Sequence, residues 1–164
     1  MKEIKVKDIQ ENFVKLIAND WLLIGAKKEN ETNMMTASWG MIGNLWNKEV
    51  INVYVRPQRY TYEFMENADT FSCSFFDENY KNQLNLCGTK SGRDIDKAKE
   101  CNFDVEIIEN APVYQQAKLT IICRKIAVYD LNPTQFIDES INKHYKNDYH
   151  RVYTGEIIKV LINE

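Results

Sequence analysis

The sequence predicts a mainly β fold: a closed or nearly closed antiparallel barrel with peripheral helices. Many short runs rich in β-branched and aromatic residues alternate with period two, which is typical of half-buried strands. Short helical patterns lie between them, but without the regular βαβα order of a doubly wound sheet. With only 6 Gly and 3 Pro in 164 residues, no linker is evident, so residues 1–164 are predicted to form one domain. A barrel accommodates these features best.

The first half contains three predicted strands and one turn. The strands cover residues 21–27, 34–42 and 50–56. In "VINVYVR", Ile51, Val53 and Val55 share one face, and Pro57 ends the strand because it cannot donate to a ladder. The segment "NLWNKEV" is predicted to be a turn, with Asn44 and Asn47 as turn residues.

The second half mixes helices and strands. Helices are predicted over residues 59–68, 79–88, 94–101 and 134–145. Strands are predicted over residues 69–78, 103–109, 113–131 and 151–162. The run 113–131 is long enough to be bent or bulged, and Gly155 is expected to make a bulge or kink in the last strand.

Composition and charge exclude several classes of protein. A net charge of −3 argues against nucleic acid as the main partner, although a local basic patch could bind a small anion. No apolar run approaches a membrane span, and the charged start is not a signal peptide, so we expect a cytoplasmic protein without a membrane partner. The four cysteines form no CxxC pair, which makes a zinc ribbon or thioredoxin-like chemistry improbable. Cys73 and Cys123 are expected to be buried thiols, whereas Cys87 precedes a glycine loop and could lie near a site.

The segment "NMMTASWG" is a strand pattern with unusually small residues in its middle. Thr36, Ala37 and Ser38 leave no bulk to pack, so another group should lie against them.

The segment "VRPQRYT" combines a strand end, a proline turn and the start of a helix. Arg56, Arg59 and the hydroxyl of Thr61 cluster there. Unpaired N–H groups at a helix N-terminus, together with arginine donors, suit a phosphate. The alternative is a solvated turn whose arginines pair with surface carboxylates.

The segment "CGTKSGRD" places Lys90 and Ser91 between two glycines, so the backbone can bend towards an anion. It is not a P-loop, because Leu84 and Thr89 stand where that motif needs other residues. A plain helix C-cap and loop is the alternative. No GxGxxG or GxSxG motif occurs, and His144 and His150 are expected to be surface or packing residues.

Taken together, these three segments resemble the flavin reductase-like, FMN-binding split-barrel family, and they are most similar to its flavoredoxin branch. The closing "DYHRVYTGEI" is similar to that family's last strand. The candidate cofactor-binding residues that follow from the resemblance are Asn33, Thr36, Ala37, Ser38, Trp39, Asn44, Arg56, Arg59, Tyr60, Thr61, Gly88, Lys90 and Ser91. No catalytic residue and no metal ligand is identified.

The resemblance implies a split-barrel homodimer with FMN at or near the dimer interface. Arg56, Arg59 and Thr61 would bind the ribityl phosphate, and Lys90, near the ring, would favour its reduction. It further implies an oxidoreductase that uses NADH or NADPH, or a redox-partner protein, with the chemistry supplied by the cofactor. Two alternatives stay open: a non-catalytic flavin- or haem-binding module, and a structural dimerisation domain without a cofactor.

Overall fold

The computed structural model describes residues 1–163. Its strands are β1 (Lys2–Ile4), β2 (Leu22–Lys28), β3 (Glu31–Ala37), β4 (Gly40–Leu45), β5 (Lys48–Val55), β6 (Thr70–Phe75), β7 (Val105–Ile108), β8 (Ala111–Tyr114), β9 (Leu119–Asp130) and β10 (Arg151–Ile162). Its α-helices are α1 (Phe13–Lys15), α2 (Tyr60–Asn67), α3 (Lys81–Thr89) and α4 (Lys97–Glu100). A π-helical turn covers Leu16–Asp20, and short 3-10 turns cover Val6–Asp8, Glu78–Tyr80, Pro133–Gln135 and Glu139–His144.

The principal sheet is antiparallel throughout and has the order β3-β2-β6-β9-β10-β5-β4. β1 adds to β10, while β7 and β8 form a separate hairpin. β3 and β4 follow each other in sequence but lie at opposite edges of the sheet, with only Ser38 and Trp39 between them. Three chain steps span at most about 11 Å, so the sheet must roll until its two edges meet at this link. We call the gap between these edges the seam.

The main core fills the inside of this rolled sheet. The predicted inward face of β5 is confirmed, because Ile51, Val53 and Val55 are fully buried. α2 covers one end of the core with Phe64 and Met65. Burial of this apolar surface is the dominant force that closes the sheet.

A second cluster lies outside the barrel and positions α3 and α4. Leu84 and Cys87 of α3 pack with Met34 of β3 and Phe103 after α4. Thr36 completes the contact, because its hydroxyl donates to the Leu84 carbonyl at 2.5 Å. The C-terminal end of α3 is therefore held against β3, beside the seam.

The prediction of one continuous strand over residues 34–42 is wrong. It breaks at Ser38 and Trp39, because the chain changes sheet edge there. Asn44 was predicted in a turn but lies within β4, opposite Glu49. The turn is the pair Trp46 and Asn47, whose φ values of 55° and 58° fit a two-residue hairpin turn of type I′.

Two further element predictions need correction. The long run 113–131 is two strands, β8 and β9, separated by a turn in which the amide of Lys118 donates to the Phe75 carbonyl. The predicted helix over residues 134–145 is two 3-10 turns instead. Asn132 and Asp138 accept hydrogen bonds from amides two residues ahead, and such local bonds compete with a continuous helix.

The structure contains no helix, within residues 1–163, with the length and apolar character that crossing a membrane requires.

Gly155 lies at a register shift between β10 and β9, which confirms the predicted bulge. A Cβ added there would lie 2.6 Å from both Cys123 Cβ and Phe71 Cζ. We expect Gly155→Ala to destabilise the fold by about 1–3 kcal/mol through overpacking. The corresponding fall in Tm is roughly 3–10 °C and can be measured by calorimetry. Gly43→Ala is the matched control, because nothing lies within 4 Å of a Cβ at that exposed strand position. Equal melting temperatures for the two variants would contradict the packing argument.

Candidate functional site

Two neighbouring cavities share one residue, Arg59, and the first of them lies at the seam. The first lies beside the end of β3 and is called the ring cavity, after the flat ring that the resemblance places near this strand. It has a volume of about 200 Å³ and is lined by Met35, Thr36, Ala37, Ser38, Trp39, Tyr54, Arg56, Arg59 and His150. The anion cavity, named for its charge, has a volume of about 140 Å³ and is lined by Gln58, Arg59, Tyr60, Thr61, Thr89, Lys90, Ser91, Gly92 and Lys97. Twelve of the thirteen predicted residues therefore line one of these cavities or contact a residue that does, and Asn44 is the exception.

The anion cavity collects positive charge. Arg59, Lys90 and Lys97 line it, and no carboxylate is among its lining residues. It lies at the start of α2, whose N-cap residue, Arg59, makes no side-chain capping bond. The first N–H groups of a helix lack intrahelical partners and carry a partial positive charge. The cavity is therefore chemically suited to an anion with several oxygen acceptors.

Arg59 is fixed by carbonyl oxygens rather than by a carboxylate. Its Nη1 donates to the Gly88 carbonyl at 2.8 Å, and its Nη2 donates to the Cys87 carbonyl at 3.4 Å. Burial, together with the nearby charge of Arg56, lowers the pKa of the Arg59 guanidinium. Arginine remains charged even so. Its positive charge is therefore left without a neutralising partner beside the cavity.

Lys97 was not predicted from the sequence. Its side chain is buried, with 4% exposure, and its Nζ donates to the carbonyls of Met34 at 2.8 Å and Cys87 at 2.9 Å. Burial, and then the charge of Arg59, lower the pKa of Lys97 to about 8. No carboxylate pairs with Lys97 among residues 1–163. A buried ammonium without a counter-ion is costly unless an anion binds beside it.

Asn33 and Thr61 form a buried pair behind the anion cavity. Asn33 Nδ2 donates to Thr61 Oγ1 at 3.0 Å. The Thr61 hydroxyl keeps its own hydrogen, which it can donate to a ligand. The backbone at Gly92 passes close by, since a Cβ there would lie 2.3 Å from Asn33 Oδ1. Asn33 thus positions Thr61 rather than reaching the cavity itself.

The ring cavity has the small lining that the sequence indicated. Ala37 and Ser38 lie at the end of β3, and this edge strand has β2 on one side only. Backbone groups on its other side have no strand partner, although the Met34 carbonyl accepts a hydrogen bond from Lys97. Gly88 allows α3 to approach, because a Cβ there would lie 3.3 Å from Thr36 Cβ.

Arg56 and Arg59 both line the ring cavity, but only Arg59 also lines the anion cavity, so a phosphate contact of Arg56 stays a prediction without geometric support. Arg56 lines the ring cavity, and its Nη1 donates to Asp148 Oδ2 at 2.5 Å. Its Nη2 donates to the His144 carbonyl at 2.8 Å. The amide of Lys146, followed by Arg56, lowers the pKa of Asp148 well below its usual range. Arg56 is therefore neutralised and braces the segment before β10.

Lys90 and Asn44 also differ from their expected places. Lys90 lines the anion cavity, not the ring cavity, so the expectation that its charge acts on a flavin ring is not supported. Ser91 lines the anion cavity, and its Oγ accepts from the Arg93 amide. Asn44 lies four residues beyond Gly40, about 13 Å along β4 from the seam. Its role as a cofactor ligand stays a prediction without geometric support.

The ring cavity has an aromatic wall, of which the sequence predicted Trp39 but not His150. His150 is buried beside Trp39, with ring centroids 5.2 Å apart, and its Nδ1 lies 2.9 Å from the Tyr145 hydroxyl. Burial lowers the pKa of His150 to about 4, so the imidazole is neutral at physiological pH. His150 precedes the last strand in "DYHRVYTGEI", which was the only sign of it in the sequence.

An antiparallel sheet rolled on itself, with a two-part site at its seam, defines a mainly β split barrel. The chain belongs to the family described as the flavin reductase like domain, whose model matches residues 14–164. This match confirms the predicted resemblance. A comparison with curated protein sequences gave no match.

Solved structures similar to this chain include flavin-associated proteins. The flavoredoxin of Methanosarcina acetivorans is 25% identical, with a TM-score of 0.70 over 88% of this chain and 69% of that protein. The FMN-binding protein of Thermus thermophilus is 19% identical, with a TM-score of 0.71 over 100% and 83% of the two chains. An NADH:FAD oxidoreductase of Streptomyces globisporus is 14% identical, with a TM-score of 0.67 over 88% and 75%. The last two similarities bear on the fold alone.

Proposed function

We propose that this protein binds FMN, with the phosphate in the anion cavity and the isoalloxazine ring in the ring cavity. The observation that carries the proposal is the anion cavity itself. Three cations and no carboxylate line it, and it opens beside a strand end made of small residues. A flat ring joined to a phosphate matches this combination of a strand end with small side chains and a concentrated positive charge.

Each part of the site has a distinct task in this proposal. Arg59 and Lys97 bind the phosphate, because both are held in place by backbone carbonyls with their charges uncompensated. Thr61 donates a further hydrogen bond, and Asn33 orients it. When bound, FMN supplies the two-electron chemistry, while the protein holds the ring and excludes water.

The activity that fits best is that of an oxidoreductase of the flavin reductase or flavoredoxin type. The electron donor is NADH, NADPH or a redox-partner protein. Membership of the flavin reductase like family supports this class of activity, as does the similarity to a flavoredoxin. Residues 1–164 act as one domain in this proposal, and a cytoplasmic location stays a prediction from the sequence.

The proposal includes a homodimer built on the apolar groove next to the ring cavity. This groove, of about 610 Å³, is lined by Val14, Trp39, Met41 and other largely apolar residues. Val14 is 78% exposed and Met41 is 56% exposed, and both lie in this one groove; a contiguous exposed apolar surface is typical of an interaction site. A second copy seated there would cover the open side of the ring cavity. Sedimentation velocity tests this, and a monomer at micromolar concentration would count against it.

An absorption spectrum of the purified protein, followed by anaerobic titration with NADH and NADPH, tests the proposed function. A flavin spectrum that survives gel filtration supports a bound-cofactor carrier. A colourless protein that oxidises NADH or NADPH only when FMN is added supports a reductase. Flavin that is bound but reduced by neither nucleotide nor partner would favour the non-catalytic module. No binding of FMN at high concentration would remove the proposal.

The ring position is tested by adding bulk at Ala37. We expect Ala37→Leu to weaken FMN and riboflavin equally, by at least roughly tenfold, because three extra carbon atoms occupy the ring cavity. Fluorescence quenching of each flavin measures this. Ala37→Ser is the matched control and should bind both flavins normally. Unchanged flavin binding in the leucine variant, with a normal Tm, would move the ring away from β3.

A further inference from the structure

Two of the four cysteines face each other behind the anion cavity. Cys87 lies near the end of α3, Cys101 follows α4, and their Sγ atoms are 3.6 Å apart. Both side chains are buried. Within residues 1–163, this is the only pair of thiols within hydrogen-bonding distance of each other.

The thiol pair is directly connected to the anion cavity. The Cys87 carbonyl accepts hydrogen bonds from Lys97 and Arg59, two of the cations that line that cavity. The segment between the cysteines carries Lys90 and Ser91 as well as Lys97. A covalent link between Cys87 and Cys101 would therefore enclose one complete wall of the cavity.

We propose that Cys87 and Cys101 form a reversible intramolecular disulfide that locks the wall of the anion cavity. A disulfide has sulfur atoms about 2.05 Å apart, so the two atoms must approach by roughly 1.6 Å. α4 can supply this movement, because it has only four residues and Cys101 is its C-cap. No such movement is available to a thiol in the middle of the sheet, where Cys73 and Cys123 lie.

The oxidant in this proposal is a low-molecular-weight disulfide. The Cys101 thiolate attacks one of its sulfur atoms, the small S–S bond breaks, and the departing thiolate takes a proton. The Cys87 thiolate then attacks the Cys101 sulfur of the mixed disulfide and releases the second small thiol. Two protein thiols are oxidised to one protein disulfide, and one small disulfide is reduced to two thiols. Excess small thiol reverses both steps.

The exchange is expected to be slow at neutral pH. Burial raises the pKa of the Cys87 thiol to about 12, and burial also raises the pKa of Cys101. Thiolates are the reacting species, so few are present at any moment. Incubation for hours at about pH 8.5 is therefore appropriate.

The disulfide is expected to affect both the thermal stability of the protein and its affinity for FMN. A disulfide that closes a loop of about 15 residues restricts the unfolded chain, and the expected rise in Tm is roughly 5–10 °C. The binding consequence rests on the proposed function: a preformed cavity wall should lower the Kd for FMN by about threefold or more, because less ordering accompanies binding. Riboflavin, which lacks the phosphate, should not respond.

The test is incubation of the full chain with hydroxyethyl disulfide, alkylation, tryptic digestion without reduction, and mass spectrometry. We expect one linked product that joins peptide 82–90 to peptide 100–118, and it should disappear on addition of dithiothreitol. Tm and flavin affinities are measured on the same sample. Cys101→Ser should lose both the linked product and the Tm rise, whereas Cys123→Ser should keep both.

Three results would overturn the proposal. They are small-molecule adducts on single cysteines without a link, a link between peptides 60–81 and 119–124 instead, or the correct link with no increase in Tm. The correct link and Tm rise in a protein that binds no flavin would leave the disulfide standing and remove only the proposed function. The two inferences therefore fail separately.

Discussion

Replacement of Arg59 by alanine is expected to weaken FMN binding by about 10- to 100-fold, while riboflavin binding changes by less than about threefold. The estimate follows from the loss of one or two charge-assisted hydrogen bonds to a phosphate, each of about 1.5–3 kcal/mol. The Arg59 guanidinium faces the anion cavity and has no carboxylate partner to neutralise it. Isothermal titration calorimetry with the two flavins measures the difference.

The comparison of FMN with riboflavin separates a phosphate contact from a general disturbance. Arg59 also holds the end of α3 through the Gly88 carbonyl, so its loss could loosen the site as a whole. General loosening would weaken both flavins equally, and that result would show that Arg59 is not at the phosphate. Arg59→Lys should be intermediate, because it keeps the charge but loses the planar fork. Arg124→Ala, at an exposed pair with Glu156, is the matched control and should change neither affinity.

FMN affinity is expected to fall roughly tenfold between pH 7 and pH 9 because Lys97 loses its proton. Burial lowers the pKa of Lys97 to about 8, and a bound phosphate would raise it again by favouring the charged form. A phosphate monoester stays dianionic over this range, since its second pKa is about 6. Titrations of FMN at half-unit steps of pH measure the effect. Lys97→Met should bind FMN weakly and with a flat profile above pH 7.5.

The pH dependence of stability in the flavin-free protein tests the pKa of Lys97 independently. The deprotonation that weakens FMN binding should stabilise the folded protein. The folded-state pKa near 8 lies below the unfolded value of 10.5, so the unfolded chain binds more protons between these limits. Lys97 therefore makes the free energy of unfolding rise as pH increases from 8 towards 10.5. Burial raises the pKa of Cys73 and Cys123, and these thiols act in the opposite direction. The informative quantity is thus the difference between the wild type and Lys97→Met. A difference that does not depend on pH would contradict the assignment.

Sequence patterns correctly predicted the features of the fold that depend on residues close together in sequence. The alternation in "VINVYVR" identified the buried face of β5, because side chains on a strand point alternately to its two sides. Gly155 indicated a bulge because glycine weakens a strand interior and often stands at a bulge. The helix predicted over residues 134–145 failed because Asn132 and Asp138 bond to nearby backbone amides, which helical periodicity does not register.

The residues that line the candidate site were predictable where their position depends on their neighbours in sequence. Ala37 and Ser38 were identified by their size, and Arg59 by its place at a helix start. Lys97 could not be found in this way. It lies two residues from the exposed Lys99 in "DKAKE", and only the carbonyls of β3 and α3, brought together by folding, distinguish the two lysines.

Ser38 and Trp39 connect the two edge strands of the rolled sheet, so the width of the ring cavity depends on how far apart those strands lie. Because so short a connection joins the edge strands β3 and β4, their separation cannot change without moving the ring cavity. Thermal fluctuation of the barrel width and entry of a ligand would then require the same movement of β3 relative to β4. Amide hydrogen exchange along β3 and β4 should accordingly slow together when the site is filled, although the two strands share no hydrogen bond in the sheet.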